Sequence, residues 1–258
     1  RHALIRKGFH SGEIMVCLVI NGKDIPAKEQ LVEELCQVKG MTSISYSINQ
    51  EKTNVIMGKE IRCLWGQGYI TDYIGNVKYR ISPLSFYQVN PVQTKNLYEK
   101  GISLAGLTGN ERVMDAYCGI GTIGLIASRD AREVISVELN PDAVRDAVTN
   151  AKRNQIKNVS FYQNDAGTFM VSMAEKGEKA DVVFMDPPRG GSDEAFLFSV
   201  VTLSPKKVVY VSCNPETLAR DLRYLTKHGY KAEEAWGYDM FAWSEHVETV
   251  CLLTQKKA

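Results

Sequence analysis

Hydrophobic positions in the second half of the chain follow two alternating patterns. Short runs of apolar, largely β-branched residues are too brief for helices and predict buried strands. These are Arg112–Asp115, Glu133–Glu138, Val159–Gln163, Asp181–Met185 and Lys207–Ser212. Between them, apolar residues recur every three or four positions. That spacing predicts helices near Gly121–Ser128, Pro141–Asn154, Ala166–Glu175, Asp193–Leu203 and Pro215–Lys227. Two further strands, Lys231–Tyr238 and Val247–Thr254, close the series. Strand–helix alternation of this kind makes an α/β domain, a mostly parallel sheet with helices on both faces.

Residues 1–82 have a different rhythm and predict a small separate α+β domain. Glu13–Ile20 reads as a strand that ends at the Asn21-Gly22 turn signal. Pro26–Val38 has helical spacing, with Gly40 as its stop. Short strands are expected at Ser43–Asn49, Asn54–Met57, Ile61–Trp65 and Lys78–Ile81. Ser82-Pro83 marks the boundary, so the second domain spans 83–258, and a helix over Pro91–Ala105 opens it behind Asn90 as its cap. Arg1 stands inside what reads as a folded segment, so an upstream part is expected to precede it.

Composition narrows the function classes only slightly. The 258 residues are 44% hydrophobic and 24% charged, ordinary for a globular chain, and the net charge of +1 selects neither nucleic acid nor membrane. No apolar run approaches the ~20 residues of a membrane span. Six widely spaced cysteines suit a reducing, cytoplasmic setting. They form no Cys-x-x-Cys pair and, with the four histidines, no zinc pattern, so no metal is expected.

The candidate chemistry collects at strand ends. In Val208–Leu222 (VVYVSCNPETLARDL) a buried strand turns into a helix capped by Asn214, with Pro215 at its first position. Cys213 sits at that junction, where open α/β sheets hold their ligands and where a helix N-terminus lowers a thiol pKa. Taken alone, a cysteine is more often buried packing. Asp115–Gly124 (DAYCGIGTIG) is a glycine-rich strand-to-helix turn of the kind that lets backbone approach a ligand. Glu138 ends the next strand, where a carboxylate accepts ribose hydroxyls, and Asp165 follows the third. Glycine or acid at three strand ends points to a nucleoside cofactor; tight turns and helix caps are the alternative. DPPRGG holds Asp186 on a stiff loop, with Arg189 standing where amino-directed methyltransferases carry an aromatic. If the last strand runs antiparallel beside the fifth, Glu248 in HVETVCLL reaches the rim that carries Cys213. A strand-end acid in solvent is the plain alternative.

FYQVN, DAYCGIGTIGL, VELNP, DPPRGG, VSCNPETLARDL and HVETVCLL, in this order over about residues 80–258, resemble the S-adenosylmethionine-dependent RNA uridine-5-methyltransferases. The resemblance implies a Rossmann-like methyltransferase domain with a seven-stranded sheet whose last strand is reversed. It implies Cys213 as nucleophile and Glu248 as base. Gln88, Tyr117, Thr122, Glu138, Asp165 and Asp186 match cofactor-contacting positions, though relatives often carry Asn where Thr122 and Asp165 stand. Members of the family often carry an oligonucleotide-binding barrel upstream, and some carry an iron–sulfur cluster. The cluster's closely spaced cysteines are missing between Arg1 and Ala258, so no cluster is expected in this chain. The implied partner is structured RNA with a flipped-out uridine, 23S ribosomal RNA ahead of the T-loop of transfer RNA, with the protein acting as a monomer. Cytosine-5 methylation, non-covalent methylation and an inactive RNA-binding module are the rival readings.

Overall fold

The computed structural model describes residues 1–256, which divide into two compact units, Arg1–Tyr87 and Gln88 onward. The division falls after Tyr87, beyond the Ser82-Pro83 signal.

The first unit contains β1 (His2–Lys7), β2 (Ile14–Ile20), α1 (Lys28–Cys36), β3 (Met41–Ile48), β4 (Glu60–Gly66), β5 (Ile70–Ile74) and β6 (Val77–Ile81). The first four strands form one sheet in the order β1-β2-β3-β4, while β5 and β6 form a separate hairpin. β2 and β3 run parallel, with α1 as the crossover between them. Two strands here escape the hydrophobic pattern. β1 is only partly buried, with Ile5 68% exposed, so its alternation is blurred. β5 carries Asp72, a polar residue that nonetheless is buried, because its carboxylate accepts the backbone N–H groups of Phe9, His10 and Ser11. The strand expected at Asn54–Met57 does not form. There the Asn49 side-chain amide donates to the Val55 and Ile56 carbonyls at 2.7 and 2.9 Å, replacing a ladder.

The second unit runs α2 (Pro91–Ala105), β7 (Arg112–Ala116), α3 (Thr122–Ala127), β8 (Glu133–Glu138), α4 (Pro141–Arg153), β9 (Val159–Gln163) and α5 (Ala166–Glu175). It continues with β10 (Val182–Met185), α6 (Glu194–Leu203), β11 (Lys207–Ser212), α7 (Pro215–Lys227), β12 (Tyr230–Tyr238) and β13 (Glu248–Gln255). Its seven strands lie in the order β12-β13-β11-β10-β7-β8-β9, and β13 alone is reversed, pairing antiparallel with both neighbours. The expected α/β methyltransferase architecture is therefore the observed one. Val208, Val209, Tyr210 and Val211 are all buried at the centre of the core, as a doubly covered strand requires. The strand order reverses between β7 and β10. Their carboxyl ends, carrying Asp115 and Asp186, flank the crevice in which such sheets bind ligands.

Candidate active site

Tyr117, Glu138, Asp165, Asp186 and Cys213 lie at or just beyond the carboxyl ends of strands of the seven-stranded sheet; Glu248 opens the reversed β13 at the same rim, Thr122 opens α3, and Gln88 precedes α2. β7 leads into a turn in which Tyr117, Gly119 and Gly121 all have positive φ, at 64°, 55° and 85°. Glycine adopts such angles freely; Tyr117 does not, and strained non-glycine backbone of this kind concentrates at ligand-binding turns. Gly124 lies where a Cβ would come within 2.7 Å of Ser136 Oγ and 2.8 Å of Asp115 Oδ2. The Gly124 N–H donates to Asp115 Oδ2 at 2.8 Å, which ties the start of α3 onto the end of β7. Asp115 Oδ1 is buried without a hydrogen-bond partner.

Glu138 closes β8 and accepts two backbone N–H groups, from Gly119 at 3.0 Å and Asn140 at 2.8 Å. It therefore clamps the glycine-rich turn and keeps acceptor capacity on each oxygen. Asp165 is exposed and caps α5 by accepting the Thr168 N–H at 2.8 Å. An open cleft of about 430 Å³ lies beside it, lined by Tyr117, Asp165, Thr168, Asp193 and Phe196. The Tyr117 ring packs on Phe196 with centroids 4.9 Å apart, which holds one wall.

Gln88 is buried just before α2 and meets Thr122, the first residue of α3, at the hydroxyl of Tyr98. Sequence reasoning misses Tyr98. It sits in the middle of an amphipathic helix, where an aromatic looks like packing, yet its hydroxyl joins Gln88 to Thr122 and feels the charges of Asp186 and Asp115.

At the other end of the rim, the antiparallel register pairs Ser212 with Thr249. Cys213 follows Ser212 directly and Glu248 precedes Thr249, so both sit at this end of the ladder, and the Glu248 charge acts on the thiol. Asn214 then caps α7, accepting the Glu216 and Thr217 N–H groups. The DPPRGG loop is pinned against this helix. Asp221, fully buried, accepts from the Ser192 N–H at 2.8 Å, the Tyr210 hydroxyl at 2.7 Å and Arg220 Nε at 2.8 Å. Arg220 also donates to the Gly190 and Ser192 carbonyls. Arg189, on the outer part of this loop, contacts both ring nitrogens of His246 and makes no ion pair among the described residues.

The electrostatics of the rim follow from crowding carboxylates in a dry place. Burial, then Glu248 and Asp115, push Asp186 up to about 8. Burial raises Asp115 to about 7, with Glu138 adding to the shift and the Gly124 N–H opposing it. Burial also raises Glu248. The expected depression of the Cys213 thiol is not found. Burial, followed by Glu248 and Asp186, raises it, against smaller opposing pulls from a backbone N–H and Arg189. The physical reason is that burial disfavours the charged thiolate, and the charges of Glu248 and Asp186 add to that cost. Such a site is short of positive charge. A cationic ligand that carries hydroxyls fits this donor set: acids for the cation, Glu138 for hydroxyls, and an Asp115 oxygen with no hydrogen-bond partner among the described residues. Among the described residues no cluster of His, Cys, Asp and Glu is arranged to hold a metal, and the six cysteines are free. No described helix is long and apolar enough to cross a membrane.

A seven-stranded sheet with one reversed strand and a ligand crevice where its order switches is a methyltransferase-type fold, and known proteins have the same fold. The model of the tRNA (uracil-5-)-methyltransferase family matches residues 66–256, and the chain belongs to that family. It is 47% identical over 257 residues to an uncharacterized RNA methyltransferase of Halalkalibacterium halodurans, covering 99% of this chain and 56% of the relative. A corresponding protein of Clostridium tetani is 46% identical over 255 residues, covering 98% of this chain and 55% of the relative. The chain thus spans about half the length of the curated relatives it matches. Among solved structures, the tRNA (uracil-54, C5)-methyltransferase of Pyrococcus abyssi in complex with S-adenosyl-L-homocysteine superposes with a TM-score of 0.81. It is 31% identical, with 98% of this chain and 59% of that one covered.

Proposed function

We propose that this chain carries the catalytic part of an RNA uridine-5-methyltransferase that works through a covalent Cys213 adduct. The observation that supports the reading is that β11 and β13 end together at the Ser212–Thr249 pair, which leaves Cys213 and Glu248 at the same end of the ladder, with the Glu248 charge acting on the thiol. The bound molecule of the Pyrococcus abyssi neighbour supports S-adenosylmethionine as cofactor. Asp186 and Gln88 would hold its cationic end, Glu138 its ribose, and Tyr117, Thr122 and Asp165 the remaining contacts. When bound, this cofactor supplies an electrophilic methyl group.

C5 of uracil is a weak nucleophile. The Cys213 thiolate adds to C6, and the electron pair moves to C5 and O4; C5 would then take the methyl group as its bond to the cofactor sulfur breaks, with S-adenosylhomocysteine as the leaving group. Glu248 then removes the C5 proton, the C6–S bond breaks, and the ring double bond and the thiolate are restored. Burial, then the charges of Glu248 and Asp186, oppose the Cys213 thiolate, and a positive charge in the crevice would offset the part due to the two acids. A stacked base cannot offer C6 to sulfur, so the uridine must be in a loop or flipped out. Arg189, with no acid partner, suits a phosphate beside it.

Two RNAs are candidate substrates. General resemblance favours 23S ribosomal RNA, whereas the Pyrococcus abyssi neighbour is a methyltransferase of uracil 54 in transfer RNA. Six free cysteines support a reducing, cytoplasmic setting. The test is trapping with each RNA containing 5-fluorouridine, together with S-adenosylmethionine. Fluorine at C5 blocks proton removal, so an adduct should accumulate at Cys213 by peptide mass spectrometry and be missing in Cys213→Ala. RNA and cofactor binding without an adduct on either RNA would remove the covalent reading.

A further inference from the structure

The loop joining β12 to β13, residues 239–247, overhangs the same rim, because β12 runs parallel to β11 and β13 returns antiparallel from it. The loop is anchored at both ends. Met240 is buried, and its carbonyl accepts from the Asn90 side chain at 3.3 Å. His246 meets Arg189 of the DPPRGG loop and touches the Phe241 ring edge-on. Within this frame Ser244 closes a tight turn on the Phe241 carbonyl through its N–H at 3.1 Å and its hydroxyl at 2.7 Å.

At the tip of that turn stands Trp243, with 104% of its reference surface exposed. Its backbone is left-handed at φ 68°, a conformation that costs a bulky residue free energy. Trp236, on β12, shows what the same side chain does when it is structural. It lies under Lys100, 3.9 Å from the ring centroid, and donates to Glu234. Trp243 makes no hydrogen bond, ring contact or cation contact among the described residues. An indole held out by an anchored turn, on a loop whose His246 holds a guanidinium that makes no ion pair among the described residues, and five residues before Glu248, matches a stacking platform for single-stranded nucleic acid.

We propose that Trp243 stacks on an unpaired base of the RNA, a nucleotide flanking the target uridine, and with Arg189 holds the strand open over Cys213. This rests on the RNA reading above but not on the covalent chemistry. Trp243 is a positioning residue: it touches a neighbouring base and not the reacting atoms. An unpaired base is the fitting partner because its flat face needs no matching hydrogen bonds, and the tip of the turn offers none.

The experiment uses the full chain with Trp65→Phe and Trp236→Phe, which leaves Trp243 as the one fluorophore of its kind. Titration with a uridine-loop RNA hairpin should quench its emission saturably. In the otherwise natural chain, Trp243→Ala should raise the RNA Kd about tenfold while Trp243→Phe keeps it within about threefold. Affinity for S-adenosylmethionine should stay unchanged in both, which also reports that they are folded. Unchanged emission on titration, or a wild-type RNA Kd for Trp243→Ala, overturns the proposal. The 5-fluorouridine assay separates the two ideas. An adduct without any effect at Trp243 sinks the stacking role alone, and quenching without an adduct sinks the covalent route alone.

Discussion

Cys213 and Glu248, 35 positions apart in the chain, come to the same end of the antiparallel β11–β13 ladder, next to the Ser212–Thr249 pair, where the Glu248 charge acts on the thiol. Their separate tasks in the proposed reaction make their variants distinguishable. Glu248→Gln keeps the shape of the side chain and removes the base. It should lower turnover by about 10²–10⁴-fold and let the Cys213 adduct build up on ordinary uridine RNA. Cys213→Ala should give neither adduct nor turnover. Denaturing gels with labelled RNA check both; equal adduct levels in Glu248→Gln and the natural chain would refute the assignment of the base.

The raised acids of the rim, Asp115 buried and Asp186 half-buried, predict an unusual pH dependence. Asp186 titrates at about 8 and Asp115 at about 7 in the folded chain, against ~3.9 for a free aspartate. Between the free and the folded values the folded state holds protons that the unfolded chain has released. Stability of the cofactor-free protein is then greatest at the acid side and falls as pH rises from about 4 to about 8, levelling above that. Thermal melts across this range should show Tm dropping by several degrees, and Asp186→Asn should flatten the drop. A Tm that climbs through the same window would contradict the crowding of charge at the rim.

Cation binding should run the same linkage backwards. A positively charged cofactor favours the ionised acids, so its binding near pH 7 should release protons. Calorimetry in two buffers of different ionisation heat measures that release directly. Asp186→Asn should reduce it and weaken cofactor binding about tenfold; proton uptake would count against Asp186 as the partner of the cation.

Asp221 should matter more than its distance from the chemistry suggests. Removing it in Asp221→Ala strands the Ser192 N–H, the Tyr210 hydroxyl and Arg220 Nε, two of them inside the core. The expected loss is on the order of 3 kcal/mol of stability. Because the DPPRGG loop hangs on this carboxylate, cofactor KM should rise as well. Denaturant melts beside steady-state kinetics decide the point, and a loss below about 0.5 kcal/mol would show the network to be dispensable.

Tyr98→Phe offers a smaller and more local probe. It deletes the hydroxyl shared by Gln88 and Thr122 and leaves the ring in place. A cost of about 1 kcal/mol in stability is expected, with several-fold weaker cofactor binding. Unaltered cofactor affinity, measured by calorimetry, would reduce Tyr98 to packing.

Most of the second unit was legible because its local signals agree with its fold. The Val208–Val211 run is buried throughout, and Asn90, Asp165 and Asn214 cap the helices they precede. Asn54–Met57 misled because Val55 and Ile56 favour a strand on composition, while the Asn49 amide had taken their carbonyls. β5 was missed for the opposite reason: Asp72 breaks the apolar pattern, and only the loop it binds makes it tolerable inside.

By itself the sequence determined the order and type of the elements of the second unit, the strand-end positions of Glu138, Asp165, Asp186, Cys213 and Glu248, and the glycine-rich turn that needs positive φ. These depend on neighbours in the chain, where side-chain period, caps and backbone freedom act. Tertiary structure alone decided that β13 is inserted between β11 and β12, and so which acid faces Cys213. It also decided the charge state of the rim. The helix end argued for a lowered thiol, but burial and two facing carboxylates raised it, because desolvation and close charges depend on what surrounds a group in space.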